Sequence, residues 1–266
     1  GGFGTVQRTV MERTGRDARW VRSEDDANSV RARTRELLAR PLGADDAVQL
    51  ALLNNPGLQA TYAELGISEA DLVQAGRGPN LRLHWLRTKV GNDVAKVEES
   101  FGFDLLGVLL MPMRRKMEAR RFERVQAEVT AEVIRVAAET RKVWIQTVAA
   151  AETARYMVQV KEAAEAGSEL ARRMAAVGNW PKLNQMREQA FYADAAARLA
   201  RAKHAAQAER ERLARLMGLW GEDLAFRLPE RLPDLPAAPR EGGELEARAM
   251  EQRLDVRAAK REAEWV

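Results

Sequence analysis

Few residues in this chain are spaced for chemistry. His84 and His204 stand about 120 positions apart with no HxxxH spacing, and there is no cysteine. Neither a thiolate metal site nor a disulfide framework is therefore available, and each histidine reads as a solvated side chain. Two carboxylate pairs, Asp25-Asp26 and Asp45-Asp46, each open a helical pattern. Negative charge is favoured at the positive end of a helix, so they read as helix-start carboxylates rather than as an acid/base pair. Gly1-Gly2-Phe3-Gly4 precedes no strand-then-helix unit and carries no Lys-Ser/Thr, which excludes a phosphate loop. Arg114-Arg115-Lys116 and Arg120-Arg121 read either as a solvated helix start or as a contact for lipid head groups. No catalytic, cofactor-binding or metal-binding residue is assigned, and no enzyme is expected.

One short segment invites a partner. Gly178-Asn179-Trp180-Pro181 separates two long helical patterns, with Leu183 just beyond it. Gly178 can end a helix in the left-handed region, and Pro181 is tolerated early in the next one. Trp180 sits where a loop offers little core to bury an indole, and exposed tryptophan is enriched at binding hot spots. The plainer reading is an ordinary loop between helices. Trp144, beside Val143 and Val148, is read as packing.

The elements that hold this segment are long. Pro112 to Val177 contains no further proline and one glycine, and Lys182 to Met217 returns after the turn. Val125, Val129, Val133, Val136, Val143 and Thr147 recur in helical steps that line one stripe. The first arm alone spans roughly 99 Å at 1.5 Å per residue. A helix of that length cannot wrap a compact core and needs a partner along its length. Aromatic residues make up only 6% of the chain against 46% hydrophobic, which suits close alanine-rich seams. Net charge is +4 from 43 basic and 39 acidic residues, spread in alternation, so no nucleic-acid partner is expected.

Upstream, residues 1–41 read as an arm with a short helix near 27–39, started by Ser23 and Asp25-Asp26 and stopped by Pro41. Residues 42–79 form a helix interrupted at Asn54-Asn55-Pro56-Gly57 and ended by Gly76-Arg77-Gly78-Pro79. Between 80 and 104 the rhythm changes to two. Leu81, Leu83 and Trp85, then Val97, Phe101 and Phe103, alternate with polar residues around Gly91-Asn92-Asp93, predicting a β-hairpin. Two strands alone are marginal in water, so they must pair with others. Residues 105–218 hold the long hairpin, 219–243 a proline-rich connector, and 244–266 a new helix. Offsetting Ala51, Leu58, Ala60 and Glu64 onto Ala249, Val256, Ala258 and Glu262 suggests a repeat of about 200 residues whose second copy has just begun. No apolar stretch approaches the roughly 20 residues of a membrane-spanning helix, and no secretory leader is visible. Membrane contact is expected through strands.

These features resemble the TolC family of outer-membrane efflux proteins. The carrying residues are Ala47-Val48-Gln49-Leu50-Ala51-Leu52-Leu53-Asn54-Asn55-Pro56-Gly57-Leu58, Ala63-Glu64-Leu65, Asp71-Leu72-Val73-Gln74-Ala75-Gly76, the Pro79-Asn80 step, Phe103-Asp104-Leu105-Leu106, and Gly178 with Leu183. The resemblance covers about residues 42–266. It implies a mainly α chain of long antiparallel hairpins in an α-barrel tunnel, with one short β-hairpin contributing to a trimeric outer-membrane β-barrel. It further implies a homotrimer that serves as the passive duct of a tripartite pump or type I secretion system. The outer-membrane lipid, an inner-membrane transporter and a periplasmic adaptor would be its partners, with the adaptor meeting Gly178, Asn179, Trp180, Pro181 and Leu183. The chain departs from the pattern in holding one repeat and the start of another, in Leu81 after Pro79-Asn80, and in strands rich in charge. A soluble periplasmic coiled-coil scaffold, or a fragment without function, is the alternative.

Overall fold

The computed structural model describes residues 1–78, 82–90, 93–102, 105–235 and 245–253, with 256 and 259. In the strands, and at 105, 245, 248 and 252, it describes the backbone alone. Seven α-helices occur among these residues: α1 Gly2–Thr14, α2 Glu24–Leu38, α3 Ala44–Asn54, α4 Pro56–Ala75, α5 Leu105–Ala176, α6 Lys182–Leu216 and α7 Leu245–Gln252. Strands β1 Arg82–Val90 and β2 Asp93–Gly102 pair antiparallel. The chain divides into two compact units: Gly1–Val6, Ala60–Ala131 and Glu246–Val266 form the first, Gln7–Gln59 and Glu132–Leu245 the second.

Two helical boundaries differ from expectation. α5 begins at Leu105 and carries Pro112 inside it, rather than starting at the proline. The leucine- and methionine-rich residues 105–111 are strong helix formers, and a proline here forfeits one main-chain bond, that to the carbonyl four residues back. The weakly patterned first residues form α1, whose Val6 and Val10 are fully buried.

In the first unit the chain start is locked by polar contacts. The Gly2 N–H donates to both carboxylate oxygens of Glu69 at 3.1 Å, and Gln126 Nε2 donates to the Gly2 carbonyl at 2.8 Å. Phe3 packs edge-on against the buried Tyr62 at 4.9 Å. A side chain at Gly2 would overlap the Phe122 ring. Thus one side of the upper part of α5 is fixed against the N-terminal turn. In β1 and β2, Leu83 stands opposite Phe101, Trp85 opposite Glu99 and Arg87 opposite Val97, with an irregularity between Thr88 and Lys89. Positions 83, 85, 97 and 101 therefore share a face of the ribbon with 87 and 99.

The second unit is held by a mixed core. Leu37, Leu42, Leu50, Val143, Trp144, Val148, Leu213, Met217 and Phe226 are buried together. Trp144 is the packing residue expected, and its indole N–H also donates to the Leu42 carbonyl at 2.8 Å. The extended stretch after α1 is clasped by two glutamines. Gln49 accepts from the Asp17 N–H (3.1 Å) and donates to its carbonyl (2.8 Å). Gln59 accepts from the Val21 N–H (3.0 Å) and donates to the Arg19 carbonyl (2.8 Å). These bonds hold residues 17–21 within this unit as a neighbouring strand would. α5 and α6 run antiparallel, tied by Arg212 to Glu139 (2.5 Å), Thr147 Oγ1 to the Glu209 carbonyl (3.2 Å) and Tyr192 to Glu165 (3.3 Å).

Candidate functional site

The carboxylate pairs have structural partners. Ser23 caps α2 by accepting from the Asp26 N–H at 3.1 Å. The Asp26 carboxylate is held below its ordinary range, first by the Arg22 backbone N–H and then by the Ser23 hydroxyl. In the first turn of α3, Asp45 pairs with Arg16 (2.9 Å) and with Arg141, and Asp46 pairs with Arg40 (3.0 Å). His204 is exposed on α6, while the side chain of His84 lies outside the described residues. Among the described residues no three His, Cys, Asp or Glu side chains are grouped to hold a metal ion.

The turn between α5 and α6 gathers exposed apolar and cationic groups. Gly178 adopts φ +77°, its N–H donates to the Ala175 carbonyl (3.1 Å), and the Asn179 N–H donates to the Met174 carbonyl (3.0 Å). This paired closure satisfies the last carbonyls of α5 and needs the left-handed glycine. Pro181 is the residue before α6 rather than its first turn, and its carbonyl accepts from Asn184 and Gln185. Trp180 is 37% exposed, and Leu170, Val177, Leu183 and Met186 are more so. From Leu170 to Arg187 the chain carries Arg172, Arg173, Lys182 and Arg187 and no Asp or Glu. The Glu169 carboxylate, one turn away, is lowered to about 2 by hydrogen bonds from Arg172 and then Arg173. Leu170, Val177, Met186 and these cations were not singled out from the sequence. The break in carboxylates from 170 to 187 was the available signal.

A second constellation fixes the far end of α6. Asn55 donates to the Leu216 carbonyl (2.9 Å) and accepts from the Leu58 N–H (3.1 Å), so one side chain closes α6 and opens α4. Gly218 (φ +63°) repeats the closure seen at Gly178, with Leu219 donating to the Ala214 carbonyl at 3.0 Å. Any side chain at Gly218 would collide with the Asn54 carbonyl. The Asn54-Asn55-Pro56 break expected from the sequence is therefore the socket for the end of α6.

Of the strand positions, Leu83, Trp85, Val97 and Phe101 lie in β1 and β2. Leu81, Phe103, Pro79-Asn80 and residues 236–244 lie outside the described residues. No family model and no curated protein matches the sequence. Solved structures do. The Campylobacter jejuni outer membrane channel CmeC aligns with a TM-score of 0.65 at 16% identity, over 82% of this chain and 50% of that one. A membrane protein of Pseudomonas aeruginosa aligns with a TM-score of 0.62 at 21% identity, over 86% and 55%. The outer membrane protein VceC of Vibrio cholerae gives 0.62 at 15%, over 83% and 56%. The chain has the TolC-family fold. It spans about half the length of the TolC-type channels it matches. The helical architecture expected from the sequence is that of this fold, and the solved proteins that share it are channels rather than enzymes.

Proposed function

We propose that this chain supplies one repeat of an outer-membrane channel-tunnel subunit, a passive duct across periplasm and outer membrane in a tripartite efflux or type I secretion system. The TolC-type fold carries the reading. β1 and β2, with 83, 85, 97 and 101 on one face, would contribute to a closed outer-membrane barrel, since an isolated ribbon leaves both edges unpaired. Three subunits would close that barrel and the tunnel. Gly178, Asn179, Trp180, Pro181 and Leu183 would meet a periplasmic adaptor bound to an inner-membrane transporter. The exposed apolar groups at this turn support that role, because it lacks a core of its own to bury them. Residues 244–266 would start the second repeat, 219–243 forming the connector.

The test is to fractionate native cell envelopes and immunoblot with an antibody to this segment. A band markedly heavier than 29.7 kDa in the outer membrane is the expected result. A band at that mass in the soluble fraction would leave a soluble coiled-coil protein instead.

A further inference from the structure

The turn between α5 and α6 is uneven in charge as well as exposed. From Leu170 to Arg187 there is no Asp or Glu, and Arg172, Arg173, Lys182 and Arg187 all stand exposed. The two carboxylates that border this stretch are already engaged. Glu169 accepts from Arg172 (2.8 Å) and Arg173 (2.7 Å). Glu188 is half-buried, its Oε2 3.5 Å from where a Cβ on Gly167 would stand. Among the described residues no carboxylate pairs with Lys182 or Arg187.

The cations are interleaved with apolar side chains at helical spacing. Lys182 and Met186 are four residues apart on α6, as are Leu183 and Arg187, so each apolar group has a cation one turn along. On α5, Leu170 has Arg173 three residues on. Val177, Leu183 and Met186 are each more than half exposed.

That interleaving limits what can cover the turn. Hydrocarbon would have to take in the cations with the leucine and methionine, because they share a face. A second copy of the same turn would set cations against cations and bring no carboxylate. A protein surface that buries Leu183 and Met186 also strips water from Lys182 and Arg187, and a desolvated cation without a partner opposes binding. The surface that fits therefore carries its own carboxylates, one helical turn from its apolar side chains, as a helix packed along α6 can. The closure at Gly178 and Asn179 fixes the two helix ends together, so the pattern is presented preformed.

We infer that this turn docks an acidic helical end of a partner protein. Its apolar side chains seat on Leu183 and Met186, and its Asp or Glu side chains pair with Lys182 and Arg187. The inference rests on the reading of the turn as the contact for a periplasmic adaptor, and it adds the charge that the contacting surface must carry.

The native protein would be tested in cells, with photoreactive benzoylphenylalanine in place of the exposed indole at position 180. Crosslink yield is counted per molecule present in the outer membrane, and the attached peptide is mapped by mass spectrometry. That peptide should carry Asp or Glu within about one helical turn of the attachment. Lys182→Glu with Arg187→Glu should lower the yield about tenfold or more, and Lys182→Arg with Arg187→Lys should preserve it. Changing the mapped carboxylates of the partner to Lys should restore the yield of the reversed protein. Arg201→Glu with Lys203→Glu makes the same change in net charge farther along α6 and should leave the yield unaltered. Full yield after reversal at 182 and 187, an equal fall with the distant pair, or a contact peptide without Asp or Glu would overturn the inference and leave the turn as an adaptor contact. Crosslinks to copies of this chain alone, to lipid alone, or to nothing would remove both.

Discussion

Single residues here act by closing helices and fixing charge. Gly218 combines a left-handed backbone with the close approach of the Asn54 carbonyl, so Gly218→Ala faces both backbone strain and a collision. Loss of about 2 kcal/mol or more is expected, read as a fall in the denaturation midpoint. Gly178 shares the conformation but meets nothing within 4 Å, so Gly178→Ala should cost only about 1 kcal/mol. Glu169 offers a charge test at the turn. Its carboxyl is held at about 2, below the value of 4.5 for a free glutamate, by Arg172 and Arg173. A carboxylate depressed in the folded state stabilises it above the unfolded value, and that contribution disappears as pH falls from about 4.5 through 2. An NMR titration should place the Glu169 midpoint near 2, and an Arg172→Ala, Arg173→Ala double variant should return it toward 4.5.

At the scale of elements, α5 was legible as a long helix from its three-and-four spacing, and its start was not. A proline usually marks a first turn, and only the upstream leucines and methionines signal that Leu105–Met111 continue the helix. Pro112→Ala restores an N–H to the carbonyl four residues back, so the melting midpoint should rise, by up to about 3 kcal/mol in stability. A fall instead would mean that a bend at Pro112 is required by the packing around it. α1 was missed because its ordering comes from distant groups: Glu69 and Gln126 lie 67 and 124 residues from Gly2. The break at Asn54-Asn55-Pro56 could be read locally. That Asn55 also closes α6 could not, since its partner is 161 residues away. The candidate turn was found through Gly178 and Trp180, whereas its cationic rim emerges only when residues 170–187 from both helices are read together.

For the whole molecule, the question is what covers the apolar groups its own folding leaves outside. Leu106, Leu109 and Met113 near the start of α5, and Val177, Leu183 and Met186 at the turn, each remain more than half exposed. Charge does little to keep copies apart, with 43 basic residues against 39 acidic. The isolated chain in detergent-free buffer is therefore expected to self-associate, with masses in multiples of 29.7 kDa by sedimentation velocity. If apolar contact drives this, sulfate should strengthen it and urea at subdenaturing concentration should weaken it. Two double variants separate the faces. Leu109→Glu with Met113→Glu removes the α5 stripe, and Val177→Glu with Leu183→Glu removes the turn. Association abolished by the first pair alone points to the upper end of α5 as the face that copies share in water. Association abolished by the second alone points to the turn. A chain that stays monomeric at every concentration, unaltered, would mean that these side chains are adequately solvated and that exposure alone gives no reason to place a partner on either face.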